Sequence, residues 1–226
     1  MRIPAVLLVM FSLLLPMFAS ANSGGVGLGT TRLIYNAGDK QASLDVRNTH
    51  TTSPFLIQTW LDNDNGVKTQ DFTVVPPLVV LRPNSENTLR IIFTGKGLPT
   101  DRETLYWLTV KAIPQSVEQG ANTLQLAAAS RIKVFYRPVG LKDKANEAYN
   151  KITVSLSGGK LTLHNPTPYY LTLITLRVDG KEVKPLMLSP KGSSIVPGNF
   201  NGAKRVSYQT INDYGAWTPL VSKNLN

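Results

Sequence analysis

The sequence predicts an all-β protein made of two immunoglobulin-like sandwiches. Three observations carry that reading. Short runs of alternating apolar residues recur with turn signals every ~8–12 residues, the spacing of a sandwich rather than of βαβ units. No stretch sustains an apolar stripe at the 3.6-residue helical period. The strand signals are broken once, over residues 141–150, by a polar, charged, unpatterned segment of the kind that joins domains. The expected division is a signal peptide over 1–21, a first domain over 22–141 and a smaller second domain over 142–226.

The strands follow in order. Residues 24–29 are glycine-rich and read as flexible, and 31–35 form a first strand with Arg32 among apolar neighbours. Residues 36–39 are a turn. Residues 42–48 set Leu44 and Val46 against Ser43, Asp45 and Arg47, a half-buried strand. Residues 55–62 lie between Pro54 and the turn Asn63-Asp64-Asn65-Gly66. Shorter runs follow at 72–75, stopped by Pro76-Pro77, at 78–81, and at 87–93 with Leu89, Ile91 and Phe93 alternating. Residues 103–113 form a long strand ended by Pro114, and the short polar loop 115–121 turns it into a hairpin with 122–136.

That last strand organises the chain. Leu124, Leu126, Ala128, Ile132 and Val134 share one face at period two, whereas a helix would set Leu126 opposite Leu124 and Ala128. At about 3.3 Å per residue, 123–136 would span roughly 45 Å. The usual strand has only ~5–6 residues. A strand this long is either fully paired or an exposed edge with a purpose. In the second half, strands are expected at 152–157, 160–164, 170–178, 181–183, around 187, and at 193–196, 204–210 and 216–220. Gly158-Gly159 and Asp179-Gly180 are hairpin turns.

Composition narrows the function. Arg2, the apolar run 3–18 and Ala19-Ser20-Ala21 read as a signal peptide cleaved after Ala21. No other run approaches the ~18 apolar residues of a spanning helix, so export without membrane insertion is expected. There are no cysteines, which excludes disulfides and thiolate metal sites. His50 and His164 lack ligand spacing and a positioned partner for base chemistry. There is no Gly-x-Ser-x-Gly elbow, and Gly27-Leu28-Gly29 precedes a strand rather than a phosphate-binding helix. The reading is a protein that is not an enzyme and needs no cofactor or metal. The net charge is +10, but export and the absence of basic runs or interleaved aromatics argue against nucleic acid. Acidic protein partners or anionic surfaces fit better, and for most of these charges plain solubility suffices.

Arg137 stands out as a charge within the apolar Phe135-Tyr136-Arg137-Pro138 segment. Glu103 and Asp213 are the best candidate partners. Because Asp213 lies in the second half, such a group would orient one domain on the other.

At these residues the chain resembles the periplasmic chaperones of chaperone–usher pilus assembly. The matching text is Thr31-Arg32; Leu98-Pro99-Thr100-Asp101-Arg102-Glu103; Lys111-Ala112-Ile113-Pro114; residues 122–138; Asn165-Pro166-Thr167-Pro168-Tyr169-Tyr170; and Ile211-Asn212-Asp213-Tyr214-Gly215. The match runs through the whole exported chain in order. It implies two immunoglobulin-like domains at an angle about a cleft, in the periplasm. It also implies a function: ATP-independent binding of pilin subunits by donor-strand complementation, and delivery to an outer-membrane usher. By the resemblance, Leu124, Leu126 and Ala128 enter the pilin groove, and Arg32 and Lys133 anchor the pilin's C-terminal carboxylate. Glu103, Arg137 and Asp213 form an interdomain ion network, and Pro54, Leu56, Ile113 and Pro114 dock the usher.

Further expectations attach to it. Ala128 stands where the family usually carries a larger aliphatic residue. Val75 stands where the family often has Thr before a cis proline, so Val75–Pro76 is expected cis. The short 115–121 loop resembles the branch that assembles thick, rod-like pili. Lys133 has the opposite parity to Leu124, and a bulge or strong twist near 129–131 is expected to reconcile them. The apolar edge at Leu124 and Leu126 leaves self-association of the free chaperone open, and the sequence does not decide it. The competing reading is an exported adhesive or carbohydrate-binding sandwich. It would cluster solvent-facing aromatics on loops, whereas Trp60 and Trp107 fall inside strand patterns; Trp217 fits either reading.

Overall fold

The computed structural model describes residues 24–115, 126–141 and 144–225. The first domain contains β1 (Val26–Leu28), β2 (Arg32–Asn36), β3 (Ala42–Asn48), β4 (Phe55–Asn63), β5 (Phe72–Val75), β6 (Leu78–Leu81), β7 (Ser85–Phe93), β8 (Thr104–Pro114) and β9 (Ala128–Arg137). They form two sheets, ordered β1-β3-β7-β5 and β2-β9-β8-β4-β6. Strand alternation does the packing. Leu44, Val46, Leu89 and Ile91 from one sheet meet Ile57, Leu61, Leu108, Val110 and Val134 from the other, all buried. The Val75–Pro76 bond is cis, where the chain leaves β5 in one sheet for β6 in the other.

The second domain contains β10 (Thr153–Ser157), β11 (Lys160–His164), β12 (Leu171–Val178), β13 (Lys181–Glu182), β14 (Leu186–Leu188), β15 (Ser193–Ile195), β16 (Arg205–Thr210) and β17 (Val221–Asn224). One sheet is β10-β11-β15; the other is β13-β12-β16-β17, with β14 also on β12. Ile152, Leu161, Leu163, Leu173, Leu176, Val206 and Tyr208 are its fully buried core. Both expected hairpin turns have the positive φ pairs that such tight turns demand: 54° and 75° at Gly158 and Gly159, 47° and 81° at Asp179 and Gly180.

The structure corrects the sequence reading at several points. The glycine-rich segment hides β1, whose three residues pair with β3. The chain then crosses from that sheet to the other, so β2 runs parallel to β9, the one parallel pair among the described residues. The segment 141–150 is not featureless. It carries 3₁₀ turns at Val139–Leu141 and Ala145–Lys151, and Ala148 is buried in the second core. Residues 216–220 are not a strand. Asn212 Oδ1 accepts the N–H groups of Tyr214 and Ala216, which curls the chain into a turn closed by an Ile211–Trp217 bridge, and the strand is instead β17. Of the organising strand, residues 122–125 lie outside the described residues; Leu126 and Ala127 precede the strand, which begins at Ala128. Its ladder to β8 runs without a register shift from Ala128 to Tyr136, so the expected bulge is absent. The parity difference needs no bulge, because the two side-chain sets serve opposite faces of one regular sheet.

Candidate functional site

Residues Ala128–Arg137 of β9 are paired with β8 along nearly their whole length, but β2 covers the other edge only from Lys133 onward. Beside Ala128–Ile132 that edge has no strand partner among the described residues. Unpaired N–H and C=O groups there can accept another strand. Leu126 is 74% exposed at the start of this edge. Leu126, Ala128 and Ser130 border an apolar opening in the mouth of the sandwich, with Val26, Leu28, Phe55, Val110 and Ala112. Leu124 lies outside the described residues, as does the signal segment 1–21.

The edge runs into a cleft. Arg32 is set directly beside Lys133 by the parallel β2–β9 register, and both face the second domain. The Arg32 guanidinium donates through Nη1 to Ile211 O at 2.8 Å, and its Nε is buried without a hydrogen-bond partner. Lys133 Nζ donates to Thr172 Oγ1 at 3.2 Å. Neither cation forms an ion pair with a described residue. Burial pushes the Arg32 pKa down, against the attraction of Asp213 and Glu103. Burial, and then the Arg32 charge, push the Lys133 pKa down, against the attraction of Asp64. Two like charges, Arg32 buried and Lys133 half-buried, with spare donors are poised for an anion.

A second cluster closes the cleft behind them. Arg137 donates through Nε to Glu103 Oε1 at 2.8 Å, and through Nη1 and Nη2 to Asp213 Oδ2 and Oδ1 at 2.6 and 2.9 Å. Glu103 Oε2 accepts the Tyr170 N–H at 2.8 Å. Burial raises the Glu103 pKa, opposed by Arg137 and the Tyr170 amide. Burial works against the Arg137 charge too, but Asp213 and Glu103 outweigh it and push its pKa up. The turn bearing Asp213 sits hard against the first domain: a Cβ on Gly215, whose φ is 82°, would lie 2.7 Å from Thr31 Oγ1. Glycine is required there both for its backbone conformation and for the close approach. Outside the cleft, Lys191 Nζ reaches Asp101 Oδ2 at 2.6 Å as a further clip between domains.

The sequence thus named Glu103, Arg137 and Asp213 as a group, and the structure brings all three together. Arg32 and Lys133 are also adjacent. Pro54, Leu56, Ile113 and Pro114 gather with Phe55 and Val80 around a shallow apolar hollow at the other end of the same sheet, where Leu56 is opposite Ile113 on the face that carries Asp62 and Trp107. Sequence reasoning missed Thr172, the Tyr170 amide and Lys191. They sit on the second domain, and only the docking of domains makes them neighbours of the site. Trp107 was also passed over; the β8–β9 register that sets it beside Lys133 was hidden by the loop between the strands.

Two immunoglobulin-like sandwiches set at an angle about a cleft, with an unfinished strand edge leading into it, define the class: the two-domain chaperone fold of pilus assembly. The family model described as "Pili and flagellar-assembly chaperone, PapD N-terminal domain" matches residues 25–142, and "Pili assembly chaperone PapD, C-terminal domain" matches residues 147–222. The chain belongs to this family of pilus-assembly chaperones. It is 42% identical to the probable fimbrial chaperone SfmC of Escherichia coli K12, over 100% of this chain and 99% of that one. It is 44% identical to the chaperone protein FimC of the same strain, over 91% of this chain and 87% of that one. Among solved structures, the periplasmic chaperone SfaE matches at 43% identity with a TM-score of 0.76, covering 89% of this chain and 99% of that one. The SafB chaperone, solved in complex with the Salmonella enterica SafA pilin, matches at 32% identity and a TM-score of 0.82, over 91% and 99%.

Proposed function

We propose that this chaperone works in the periplasm, after cleavage of residues 1–21, and captures pilin subunits by lending them β9. The observation that carries the reading is the open edge at Ala128–Ile132 running straight into the adjacent Arg32 and Lys133. A pilin strand laid on that edge, in line with β2, would end at the two cations, where its terminal carboxylate meets spare donors. Leu124, Leu126 and Ala128 then fill the groove left by the pilin's missing strand. Each buried leucine supplies about 1.5–3 kcal/mol. Each charge-assisted hydrogen bond adds about 1.5–3 kcal/mol. Teeth and anchor are comparable in energy, and the anchor sets the register, because a one-residue slip turns every tooth outward.

The other roles follow from position. Glu103, Arg137 and Asp213 hold the two domains, 22–141 and 142–226, at the angle that forms the cleft. The apolar hollow at Pro54, Leu56, Ile113 and Pro114 is the docking patch for an outer-membrane usher; it lies away from the cleft, so pilin and usher can bind together. Binding of this kind needs neither a reaction nor a nucleotide. The test is co-expression with a pilin from a neighbouring pilus operon. A one-to-one complex is expected on gel filtration, and a pilin shortened at its C-terminus should fail to form it. Equal capture of the shortened pilin would overturn the anchor.

A further inference from the structure

Trp107 lies on β8 and has no part in the roles above. The strand registers place it in a row across four strands on the cleft-side face of the sheet. Asp62 on β4 is opposite Trp107, Trp107 is opposite Lys133 on β9, and Lys133 is beside Arg32 on β2. The Lys133 ammonium stands 5.6 Å from the centre of the indole ring, within cation–π range. The Arg131 guanidinium, two residues back on the same face, lies 4.6 Å from the same ring and 3.7 Å from Asp62.

That row poses a problem that Trp107 solves. A lysine beside an arginine in a half-buried cleft is repelled by its neighbour, and its flexible stem lets it swing towards the nearest carboxylate. Two carboxylates lie on the β4 side of Lys133: Asp62, in line with it on the row, and Asp64 in the turn beyond, whose charge already acts on the ammonium. Paired with Asp62, Lys133 would be neutralised from within and lost to a ligand. The indole occupies the strand between them, which keeps the two backbones about 10 Å apart, twice the ~4.8 Å strand spacing. Its face attracts the ammonium, while Arg131 takes Asp62.

We propose that Trp107 is a positioning residue for the carboxylate anchor: it insulates Lys133 from Asp62 and holds the ammonium towards the terminus of a bound chain. The inference rests on the carboxylate-anchor reading, and the experiment separates failure of the two. The probes are two synthetic peptides copying the C-terminal strand of the neighbouring operon's pilin, one ending in a free carboxylate and one in an amide. Each is titrated against the full exported chaperone. The measured quantity is the ratio of their affinities.

The unsubstituted chaperone should prefer the acid by at least about tenfold, the worth of one charge-assisted hydrogen bond. Lys133→Ala should abolish most of that preference. Trp107→Leu should cut the ratio roughly threefold to tenfold, and Trp107→Phe by less, following the weaker π-face of phenylalanine. Adding Asp62→Asn to Trp107→Leu should restore part of the ratio. A tryptophan that merely supported the sheet would weaken acid and amide alike and leave the ratio alone. If both Trp107 variants keep the full ratio while Lys133→Ala loses it, the positioning role is wrong. If Asp62→Asn restores nothing, the insulating part is wrong. If the unsubstituted chaperone shows no acid preference, the anchor reading itself fails and the positioning role falls with it. Trp107→Phe retains an aromatic body of similar shape and keeps the test open should Trp107→Leu not fold.

Discussion

Two cationic clusters share one cleft and are treated in opposite ways. Arg137 is buried, and its donors are spent on Glu103 and Asp213. Arg32 and Lys133, a few residues away on the same sheet face, meet only neutral oxygens and leave donors spare. The first cluster is complete without a partner and specifies how the domains meet. The second is left incomplete at a cost to the free molecule, as expected of a site kept for an anion. Residue type does not separate them; the number of carboxylates within reach does.

The largest effect is expected where the completed cluster is broken. Arg137→Met leaves Glu103, with 2% of its side chain exposed, as an unpaired buried carboxylate. It should cost about 3–5 kcal/mol in urea unfolding. The open cluster should behave in the reverse sense. Arg32→Ala and Lys133→Ala should each weaken the pilin complex by about 1.5–3 kcal/mol, while the unfolding midpoint of the free chaperone holds or rises. A large stability loss in either would erase the contrast between the clusters.

Smaller effects sharpen the comparison along the edge. Leu126→Ala should weaken pilin binding by about 1–2 kcal/mol without changing the stability of the free chain, where this leucine is mostly exposed. Ala128→Val should tighten the complex by up to about 1.5 kcal/mol if its pocket in the pilin is underfilled, at ~0.8 kcal/mol per buried carbon.

Acid and base complete the set. Lys133 has its pKa lowered by burial and by Arg32, so its charge is lost earlier in the alkaline range than that of an exposed lysine. Pilin affinity should therefore hold through neutral pH and fall as pH rises through that depressed value; Lys133→Arg should flatten the profile. Asp101 is held down to about 2 by hydrogen bonds from Lys191 and then Arg102. A depressed carboxylate contributes stability above its ordinary pKa of about 3.9 and loses it as pH falls through the folded value. Asp101→Asn should remove a small part of the acid sensitivity between about pH 4 and 2, seen in thermal unfolding. The effect is the smallest of the set because the pair is exposed.

Much of this was legible before the structure. The strand at 78–81 and those at 42–48, 72–75 and 160–164 fall where alternation and proline stops placed them, because period two and the absence of a proline N–H are local properties. β1 was not legible, since Gly25, Gly27 and Gly29 flank or interrupt its three residues and mask any alternation. Neither was the direction of β2. Whether a strand lies parallel or antiparallel to a partner a hundred residues away is settled by the crossing between sheets, and Arg32–Lys133 adjacency depends on it. The expected bulge shows the same limit from the other side. Parity correctly separated Lys133 from Leu126 and Ala128, but only the unbroken ladder to β8 shows that a straight strand suffices.

By itself, the sequence determined the all-β class, the two domains, the identity of the charged residues and the apolar face of β9, because these follow from residue chemistry and short-range periodicity. The tertiary structure alone decided which charges are neutralised and which stay open. That outcome depends on distances of a few ångströms between strands and domains remote in the chain, and electrostatic energy at that range changes steeply with each of them.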